Sequence, residues 1–299
     1  MSARAIARRF GRVERFRFFG RTGAVSDDTE QSALVAQALA RHPGDLEAAV
    51  RAFRRSMLGW FLRLPWGIGF GTLRACLKIG LGFRRTGVRS AGNGAAMRSA
   101  ILGVALPDLA HRRTAVQAFA EVTHTDRRAV EGALFVAELA AEGEWERALE
   151  VVSEPSLRSA LVRAAGLASS GARTEAAARE LGTSGFVVHT VPFALFCYLR
   201  FGDRPLAAIA ESISAGGDTD TIAAIVGAWC GARHGESGLP PDLLARLQSG
   251  PFGGEHLRAL AIAIAESKPP PSFSSLHSLA RNLLRIPVVL SHALRRLFP

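Results

Sequence analysis

Segments with the apolar spacing of α-helices follow one another along this chain, without an internal repeat or a series of alternating apolar and polar residues. The clearest segment opens with Asp27 and Glu30, an acidic first turn that suits a helix dipole. Leu34, Val35 and Leu39 then recur at helical spacing. The His-Pro-Gly sequence that follows is a typical helix stop.

We predict further helices at residues 45–63, 108–122, 126–141, 144–167, 172–181 and 222–234, and an Ala-rich helix that ends near residue 105. Residues 186–201 have a strand-like start, but Pro192 and the length of the segment favour a buried helix begun by that proline. The fold class predicted from this pattern is all-α, arranged as a compact single domain.

The composition of the 299 residues, 48% hydrophobic, permits a large core and excludes an intrinsically disordered chain. Cys76, Cys197 and Cys230 form no CxxC pair, so we expect neither a disulfide framework nor a cysteine zinc site. The longest uncharged run, residues 181–199, contains Gly, Ser, Thr, His and Pro and is too polar to span a membrane. Since the N-terminus also lacks the apolar stretch of a signal peptide, we expect a reducing, cytoplasmic location.

The net charge of +11 is concentrated in three segments. Residues 1–21 contain seven Arg and one Glu, and residues 51–89 contain eight Arg, one Lys and no acid. Residues 268–299 contain four Arg, one Lys and no acid, so the rest of the chain is mildly acidic. No basic helix-turn-helix or RNA-binding signature accompanies these segments, and specific nucleic-acid binding is not expected.

These charges suggest three parts: a basic N-terminal segment (1–25), a main domain (26–267) and a basic C-terminal extension (268–299). In the extension, leucine and isoleucine recur at helical spacing at Leu276, Leu279, Leu283, Ile286 and Leu290. Arg281 and Arg285 lie on another face, and Pro287 is expected to kink or interrupt the helix. Packing of the apolar stripe onto the main domain is the favoured interpretation, and contact with a membrane surface or a partner is the alternative.

Two acid clusters, each placed where a helix begins, are the most informative chemical feature. They are Ser26-Asp27-Asp28-Thr29 and Asp218-Thr219-Asp220-Thr221. Helix capping needs only one such side chain, so capping alone does not account for paired carboxylates and hydroxyls. If the clusters meet, their carboxylates repel one another unless cations are present, and Mg²⁺ or Mn²⁺ favours such oxygen ligands. Ala223, Gly227, Gly231 and Gly235 follow as a smooth ridge that either lets another helix approach closely or reflects tight core packing.

Two weaker features lie between the clusters. Gly92-Asn93-Gly94 precedes a helical segment and is typical either of phosphate contact through backbone N–H groups or of a plain turn. His124 stands at a predicted helix junction, where it is either a ligand contact or a capping or buried histidine.

Together these segments resemble the ADP-ribosylglycohydrolase family, which includes the dinitrogenase reductase-activating glycohydrolase. The resemblance rests on Ser-Asp-Asp-Thr at 26–29, Gly-Asn-Gly-Ala-Ala-Met-Arg at 92–98, Thr-His-Thr-Asp at 123–126 and Gly-Gly-Asp-Thr-Asp-Thr at 216–221. The motifs occur in the family's order and cover roughly residues 20–235.

The resemblance implies a compact all-α fold with two divalent cations, Mg²⁺ or Mn²⁺. By this resemblance the metal ligands are Ser26 (where the family usually has Thr), Asp27, Asp28, Asp218, Asp220 and Thr221. Gly92, Asn93 and Gly94 are expected along the diphosphate of ADP-ribose, and His124 near its ribose or phosphate.

The implied reaction is hydrolysis at C1 of the distal ribose, which frees ADP-ribose from an ADP-ribosylated protein, such as one modified on arginine, or from another conjugate. Asp28 and Asp220 are the candidates for holding metal and positioning the attacking water. Family members usually begin with a Gly-Asp-x-x-Gly helix that ends in a Glu, and residues 1–25 do not match it, since Glu14 lies in a basic stretch. Two hypotheses therefore stay open: a hydrolase whose N-terminal segment departs from the family pattern or is incomplete, or a degenerate member that binds ADP-ribose without turnover.

Overall fold

The computed structural model describes residues 1–17 and 22–297, and sixteen α-helices lie in that part of the chain. Among the same residues β-pairing is limited to isolated bridges, so they form no sheet. The predicted all-α fold is therefore confirmed. None of the helices described is long and apolar enough to cross a membrane.

The helices are numbered in chain order. They are α1 (Ala3–Phe10), α2 (Asp27–Arg41), α3 (Leu46–Leu62), α4 (Phe70–Gly80), α5 (Ala100–Ala105), α6 (Leu109–Glu121), α7 (Arg127–Glu142), α8 (Trp145–Leu149), α9 (Pro155–Ser169), α10 (Thr174–Leu181), α11 (Val187–Phe201), α12 (Pro205–Ser214), α13 (Thr219–His234), α14 (Pro241–Leu244), α15 (Gly254–Ala265) and α16 (Ser275–Leu297). Short 3-10 turns form at Ala96–Arg98 and Glu236–Gly238.

Two apolar clusters form the core, and α7 contributes to both. The first centres on α11 and on the buried Trp229 of α13. The second is built around Phe53 and Phe119, whose ring centroids lie 5.2 Å apart. Gly103 lets α5 pack directly on α7, because a Cβ at that position would lie 2.0 Å from the carbonyl oxygen of Ala137. α7 thus joins the two halves of the core.

Three predicted helix boundaries are wrong. The segment predicted as one helix over 144–167 forms α8 and α9, since Pro155 begins the second helix and the residue before it is extended. The Ala-rich segment that ends near residue 105 begins as a 3-10 turn and only then becomes α5. Pro192 lies inside α11 instead of at its start. α11 begins earlier because the Val187 N–H donates to the carbonyl oxygen of Ala91 at 2.9 Å.

The favoured interpretation of the C-terminal helix is also wrong. α16 continues through Pro287, and the side that it turns to the rest of the protein is polar. Arg281 pairs with the buried Glu30, and the Asn282 amide donates to the carbonyl oxygen of Arg63 at 2.8 Å. These two buried acceptors need polar partners, which a leucine stripe does not offer. The stripe lies to one side of this contact, with Leu279 and Ile286 half-buried and Leu276, Leu283 and Leu290 exposed.

The small residues of α13 do not bring another helix into close contact, as the smooth ridge suggested. A Cβ at Gly231 would meet no atom within 4 Å, and one at Gly227 would lie 3.6 Å from Ile209. Both glycines line an apolar groove of about 570 Å³ bordered by α2, α5 and α15. The ridge therefore opens a groove and does not hold the two acid clusters together.

Candidate metal centre and ligand cleft

The two acid clusters, which are separated by most of the chain, meet in the fold. Asp27 and Asp28 stand in the first turn of α2, and Asp220 stands in the first turn of α13. One carboxylate oxygen from each of these three residues lies within 4.8 Å of the others. Among the described residues, these three form the one such group of potential metal ligands. Asp218 is the residue just before α13 and stands beside the group.

Both helix starts are shaped by local backbone requirements. Ser26 precedes α2 in an extended conformation, and its hydroxyl donates to Asp28 Oδ2 at 2.7 Å. Gly217, before α13, has a φ of +82°, and a Cβ there would lie 2.1 Å from the carbonyl oxygen of Thr183. The Asp218 N–H donates to that same carbonyl oxygen at 2.7 Å. Only glycine fits at position 217, so this residue determines where the second carboxylate pair begins.

Asn93 connects the Gly-Asn-Gly segment to the acid clusters. Its side-chain amide donates to Asp218 Oδ2 at 2.6 Å and to the Thr190 hydroxyl at 2.9 Å, and its backbone N–H donates to the carbonyl oxygen of Gly185. These bonds use the donors of Asn93 and orient Asp218. The expected place of Asn93 beside a diphosphate stays a prediction.

Burial and mutual repulsion shift the carboxyl groups towards their protonated forms. The pKa of Asp27 is raised to about 9 by burial and by the charges of Asp28 and Asp220. Burial and the charge of Asp220 raise the pKa of Asp28 to about 6, against opposing hydrogen bonds from Ser26 and Thr221. Burial also raises the pKa of Asp218 to about 6, although the bond from Asn93 lowers it. The cluster therefore needs either protons or cations to be stable near neutral pH.

The residues of this cluster fit a divalent cation. Asp28 Oδ1 is buried and has no hydrogen-bond partner in the described structure. A buried carboxylate oxygen without a partner is suited to an ion or a water molecule, since buried polar atoms are otherwise nearly always paired. Carboxylate and hydroxyl oxygens are the ligands that Mg²⁺ and Mn²⁺ favour, and Ser26 and Thr221 supply hydroxyls next to Asp28.

His124 is buried, and glycines lie directly against its imidazole ring. A Cβ at Gly94 would lie 2.8 Å from His124 Cε1, and a Cβ at Gly71 would lie 2.8 Å from Nε2. The other ring nitrogen, Nδ1, is 2.7 Å from the Thr123 hydroxyl, which accepts from Arg98 at 2.6 Å. Burial and the Arg98 charge lower the pKa of His124 to about 3, so its imidazole is neutral at physiological pH.

The acid clusters, the Gly-Asn-Gly segment and His124 border one cleft of about 610 Å³. This volume lies in the range of small-molecule sites. The structure adds the loop before α4, which sequence reasoning missed, and its Gly67 has a φ of +85° and approaches Asp27. The alternation of glycines at 67, 69 and 71 is the sequence signal for this loop.

Glu14 lies outside this cleft. It pairs with Arg12, and it borders a different cleft with Asp242 and Arg246. The N-terminal segment reaches the acid clusters through its backbone instead, because the Gly217 N–H donates to the carbonyl oxygen of Met1 at 2.9 Å.

Comparisons with known proteins agree with this geometry. A model of the ADP-ribosylglycohydrolase family matches residues 1–272. The uncharacterized protein YegU of Escherichia coli (strain K12) is 29% identical over 255 residues, 75% of each chain. An uncharacterized protein of Archaeoglobus fulgidus is 32% identical over 228 residues, 71% of this chain and 72% of its own. ADP-ribosylhydrolase ARH3 of Danio rerio is 40% identical over 72 residues, 20% of this chain and 19% of its own.

A solved structure described as an ADP-ribosylglycohydrolase-related protein complex superposes with a TM-score of 0.62 at 26% identity, covering 81% of each chain. The family match includes residues 1–25, where we found no first-helix motif in the sequence. Members of this family are glycohydrolases and are typically metal-dependent, which agrees with the acid cluster. The resemblance inferred from four short motifs is confirmed, and this chain belongs to the ADP-ribosylglycohydrolase family.

Proposed function

We propose that this protein is a metal-dependent hydrolase that removes ADP-ribose from a mono-ADP-ribosylated acceptor, with a protein arginine as the first candidate. The observation that carries the proposal is the meeting of Asp27, Asp28 and Asp220 within 4.8 Å of one another, with Asp27 and Asp220 bordering the cleft of about 610 Å³. Ordinary glycosidases place two carboxyl groups on either side of the scissile bond. Here the carboxylates are grouped instead, as a cation site requires.

Two Mg²⁺ or Mn²⁺ ions are the proposed cofactors. The proposed ligands are Ser26, Asp27, Asp28, Asp218, Asp220 and Thr221. When bound, such cations neutralise the carboxylates, orient the ribose hydroxyls and lower the pKa of a water molecule.

The chain's own groups then have separate roles. Asp28 and Asp220 accept hydrogen bonds from the attacking water and stabilise the positive charge that develops at C1. Asn93 keeps the Asp218 carboxylate aimed at the centre. Gly92 and Gly94 carry no side chain that would keep the diphosphate away from His124 Nε2, which we propose as a hydrogen-bond donor.

The reaction balances with water as the only co-reactant. The bond between C1 and the acceptor nitrogen breaks, and the water oxygen forms the new bond to C1. One water proton returns to the acceptor nitrogen, so the products are ADP-ribose and an unmodified arginine. This balance requires no separate acid from the N-terminal segment. The position of Glu14, which lies outside the cleft, is consistent with it.

The test is ADP-ribose release, measured by mass spectrometry, from proteins modified on arginine or serine and from modified nucleic acid. Wild type should release ADP-ribose from at least one acceptor when Mg²⁺ or Mn²⁺ is present. Asp28→Ala and Asp220→Ala should each lower that rate by about 100-fold or more. Asp203→Ala is the matched control, since this aspartate is exposed and pairs with Arg233. Equal rates in all three variants would contradict the proposed centre.

The second candidate function is ADP-ribose binding without turnover. It is favoured by the position of Glu14, which lies in a different cleft and so leaves the acid clusters without an additional carboxylate from the N-terminal segment. Calorimetric binding of ADP-ribose together with no release from any acceptor would establish this candidate and refute hydrolysis.

We also propose a cytoplasmic location. The three cysteines are free and buried, which is compatible with a reducing compartment. Alkylation of the protein purified under non-reducing conditions should find three unmodified thiols after denaturation, whereas a disulfide would argue against this location.

A further inference from the structure

α4 exposes an apolar face with a cation in its middle. Phe70, Arg74, Leu77 and Leu81 are spaced four, three and four residues apart, which places them on one side of the helix and its end. Phe70 is 84% exposed and Leu81 is 75% exposed. The opposite side of α4 packs in the core. Core packing therefore does not account for the apolar residues on the exposed side.

The mixture of exposed apolar and basic side chains continues at both ends of α4. Leu62 and Leu64 are exposed in the segment that leads to the helix, and Phe83, Arg84 and Arg85 are exposed just after it. No acidic residue occurs between positions 51 and 89. These exposed residues therefore mix large apolar side chains with arginines that have no acidic neighbours in the sequence.

α16 extends this surface. The Trp66 indole N–H donates to the carbonyl oxygen of Asn282 at 3.1 Å, and the Asn282 amide donates to the carbonyl oxygen of Arg63 at 2.8 Å. These bonds hold α16 against the segment that carries Leu64. The exposed leucines of α16 are Leu276, Leu283, Leu284 and Leu290. Residues 268–299 also lack acids. We call these exposed residues of 62–85 and of α16 the basic apolar face.

We propose that the basic apolar face binds the surface of an anionic lipid bilayer. Its leucine and phenylalanine side chains lie on several separate segments, as expected for groups that enter a lipid layer at separate points. The arginines between them match anionic headgroups, because the guanidinium group binds phosphate oxygens in a bidentate way. The amphipathic helix α16 beside them adds further exposed leucines.

Binding in this way places the ligand cleft at the bilayer. Phe70 belongs both to the basic apolar face and to the border of the cleft. The loop that approaches Asp27 leads directly into α4. A molecule attached to the bilayer therefore has a short path to the cleft, whichever reaction takes place there.

The experiment is co-sedimentation of the full chain with vesicles of phosphatidylcholine, alone or mixed with phosphatidylglycerol. We expect binding to the mixed vesicles, weaker binding as salt is raised, and little binding to phosphatidylcholine alone. Leu77→Gln/Leu81→Gln and Arg84→Gln/Arg85→Gln should each weaken binding by about tenfold.

Matched controls come from exposed residues elsewhere. Leu109→Gln/Val162→Gln removes two exposed apolar side chains, and Arg173→Gln/Arg179→Gln removes two exposed arginines. Neither control should change vesicle binding. The proposal is overturned if wild type does not sediment with anionic vesicles, or if the controls weaken binding as much as the test variants. It is also overturned if light scattering shows a dimer that Leu77→Gln/Leu81→Gln dissociates while vesicle binding is absent, since the face is then a protein interface.

Discussion

Asp27 shows how a single residue can serve a site and weaken the fold. Its carboxyl group is buried beside two others, and its pKa is raised to about 9 from the usual 3.8. In the unfolded chain this proton is lost above about pH 4, whereas the metal-free folded protein holds it to higher pH. The contribution of Asp27 to stability is therefore greatest at low pH and is lost as the pH rises towards 9. A bound cation removes this dependence by neutralising the cluster.

We therefore predict that the melting temperature of the chelator-treated protein falls between pH 6.5 and pH 8.5. His124 opposes this fall only near pH 6.5, because its pKa is about 3 when folded and 6.5 when unfolded, and its protonation difference between the two states is nearly gone by about pH 7.5. Asp27→Asn should flatten the slope and raise the melting temperature at pH 8 by roughly 3 °C. It should also reduce the stabilisation by Mn²⁺. A wild-type melting temperature that rises across this window, or an unchanged slope in Asp27→Asn, would contradict the assigned shift.

His124 illustrates a second residue whose state is decided by its neighbours. Arg98 can only donate hydrogen bonds, so the Thr123 hydroxyl that accepts from it is free to direct its own proton to His124 Nδ1. The ring proton is then on Nε2, which lies beside Gly71 and Gly92 at the cleft. This neutral tautomer suits a donor to a ligand oxygen.

The prediction is that nitrogen NMR finds His124 neutral and protonated on Nε2 from pH 5.5 to pH 8. Thr123→Val should allow the other tautomer and weaken ADP-ribose binding by about fivefold, because one net hydrogen bond is worth about 1 kcal/mol. Thr123→Ser should restore both properties, and Thr114→Val, whose hydroxyl bonds within α6, should change neither. An imidazole that titrates near pH 6.5 in wild type would refute the proposed chain of hydrogen bonds from Arg98 through Thr123 to His124.

Among the elements, the two helix starts were easier to predict from the sequence than the contacts that bring them together. The acidic residues at 27–28 and 218–220 stand at the first turns of α2 and α13, as the cluster pattern indicates. The close contact itself depends on Gly217 and Asn93, whose partners Thr183 and Asp218 are distant in the sequence. Long-range partners of this kind cannot be recognised from local spacing. The glycine ridge of α13 suggested a different mechanism and was wrong.

Gly217→Ala tests this element. Gly217 has a φ of +82°, and an added Cβ would lie 2.1 Å from the Thr183 carbonyl oxygen, so alanine requires the backbone to move. We predict a loss of unfolding free energy of about 2 kcal/mol and weaker Mn²⁺ binding. Gly231→Ala is the matched control within α13, because its Cβ meets no atom within 4 Å. It should stabilise the protein by about 0.5–1 kcal/mol in denaturant unfolding and leave Mn²⁺ binding unchanged. Equal effects of the two substitutions would contradict the account.

α16 shows that helical periodicity alone does not predict which face of a helix is buried. Spacing correctly indicates that Arg281 and Arg285 share a face distinct from the leucines, but it does not say which face is buried. That choice depends on Glu30 and on the Arg63 carbonyl oxygen, which belong to elements far away in the sequence. Buried acceptors therefore outweigh an apolar stripe in deciding how this helix packs.

At the scale of the whole molecule, opposite charges are concentrated in different parts of the protein. The sequence has a net charge of +11, yet its candidate centre is a group of buried carboxylates. Three of the eight arginines of residues 51–89, Arg74, Arg84 and Arg85, lie on the basic apolar face. The all-α class and the family were predictable because helical periodicity and short motifs are local signals. The cleft border at residues 67–72 was not, because a glycine-rich loop gives no indication of what it packs against.

The most direct test of the account is a calorimetric titration of Mn²⁺ into chelator-treated protein. We predict saturable binding by wild type with two ions per chain. Asp28→Asn and Asp220→Asn should weaken it by at least about tenfold, whereas Asp203→Asn should not. Absence of Mn²⁺ binding by folded wild type, or binding that survives both substitutions unchanged, would show that the two acid clusters do not form a metal centre.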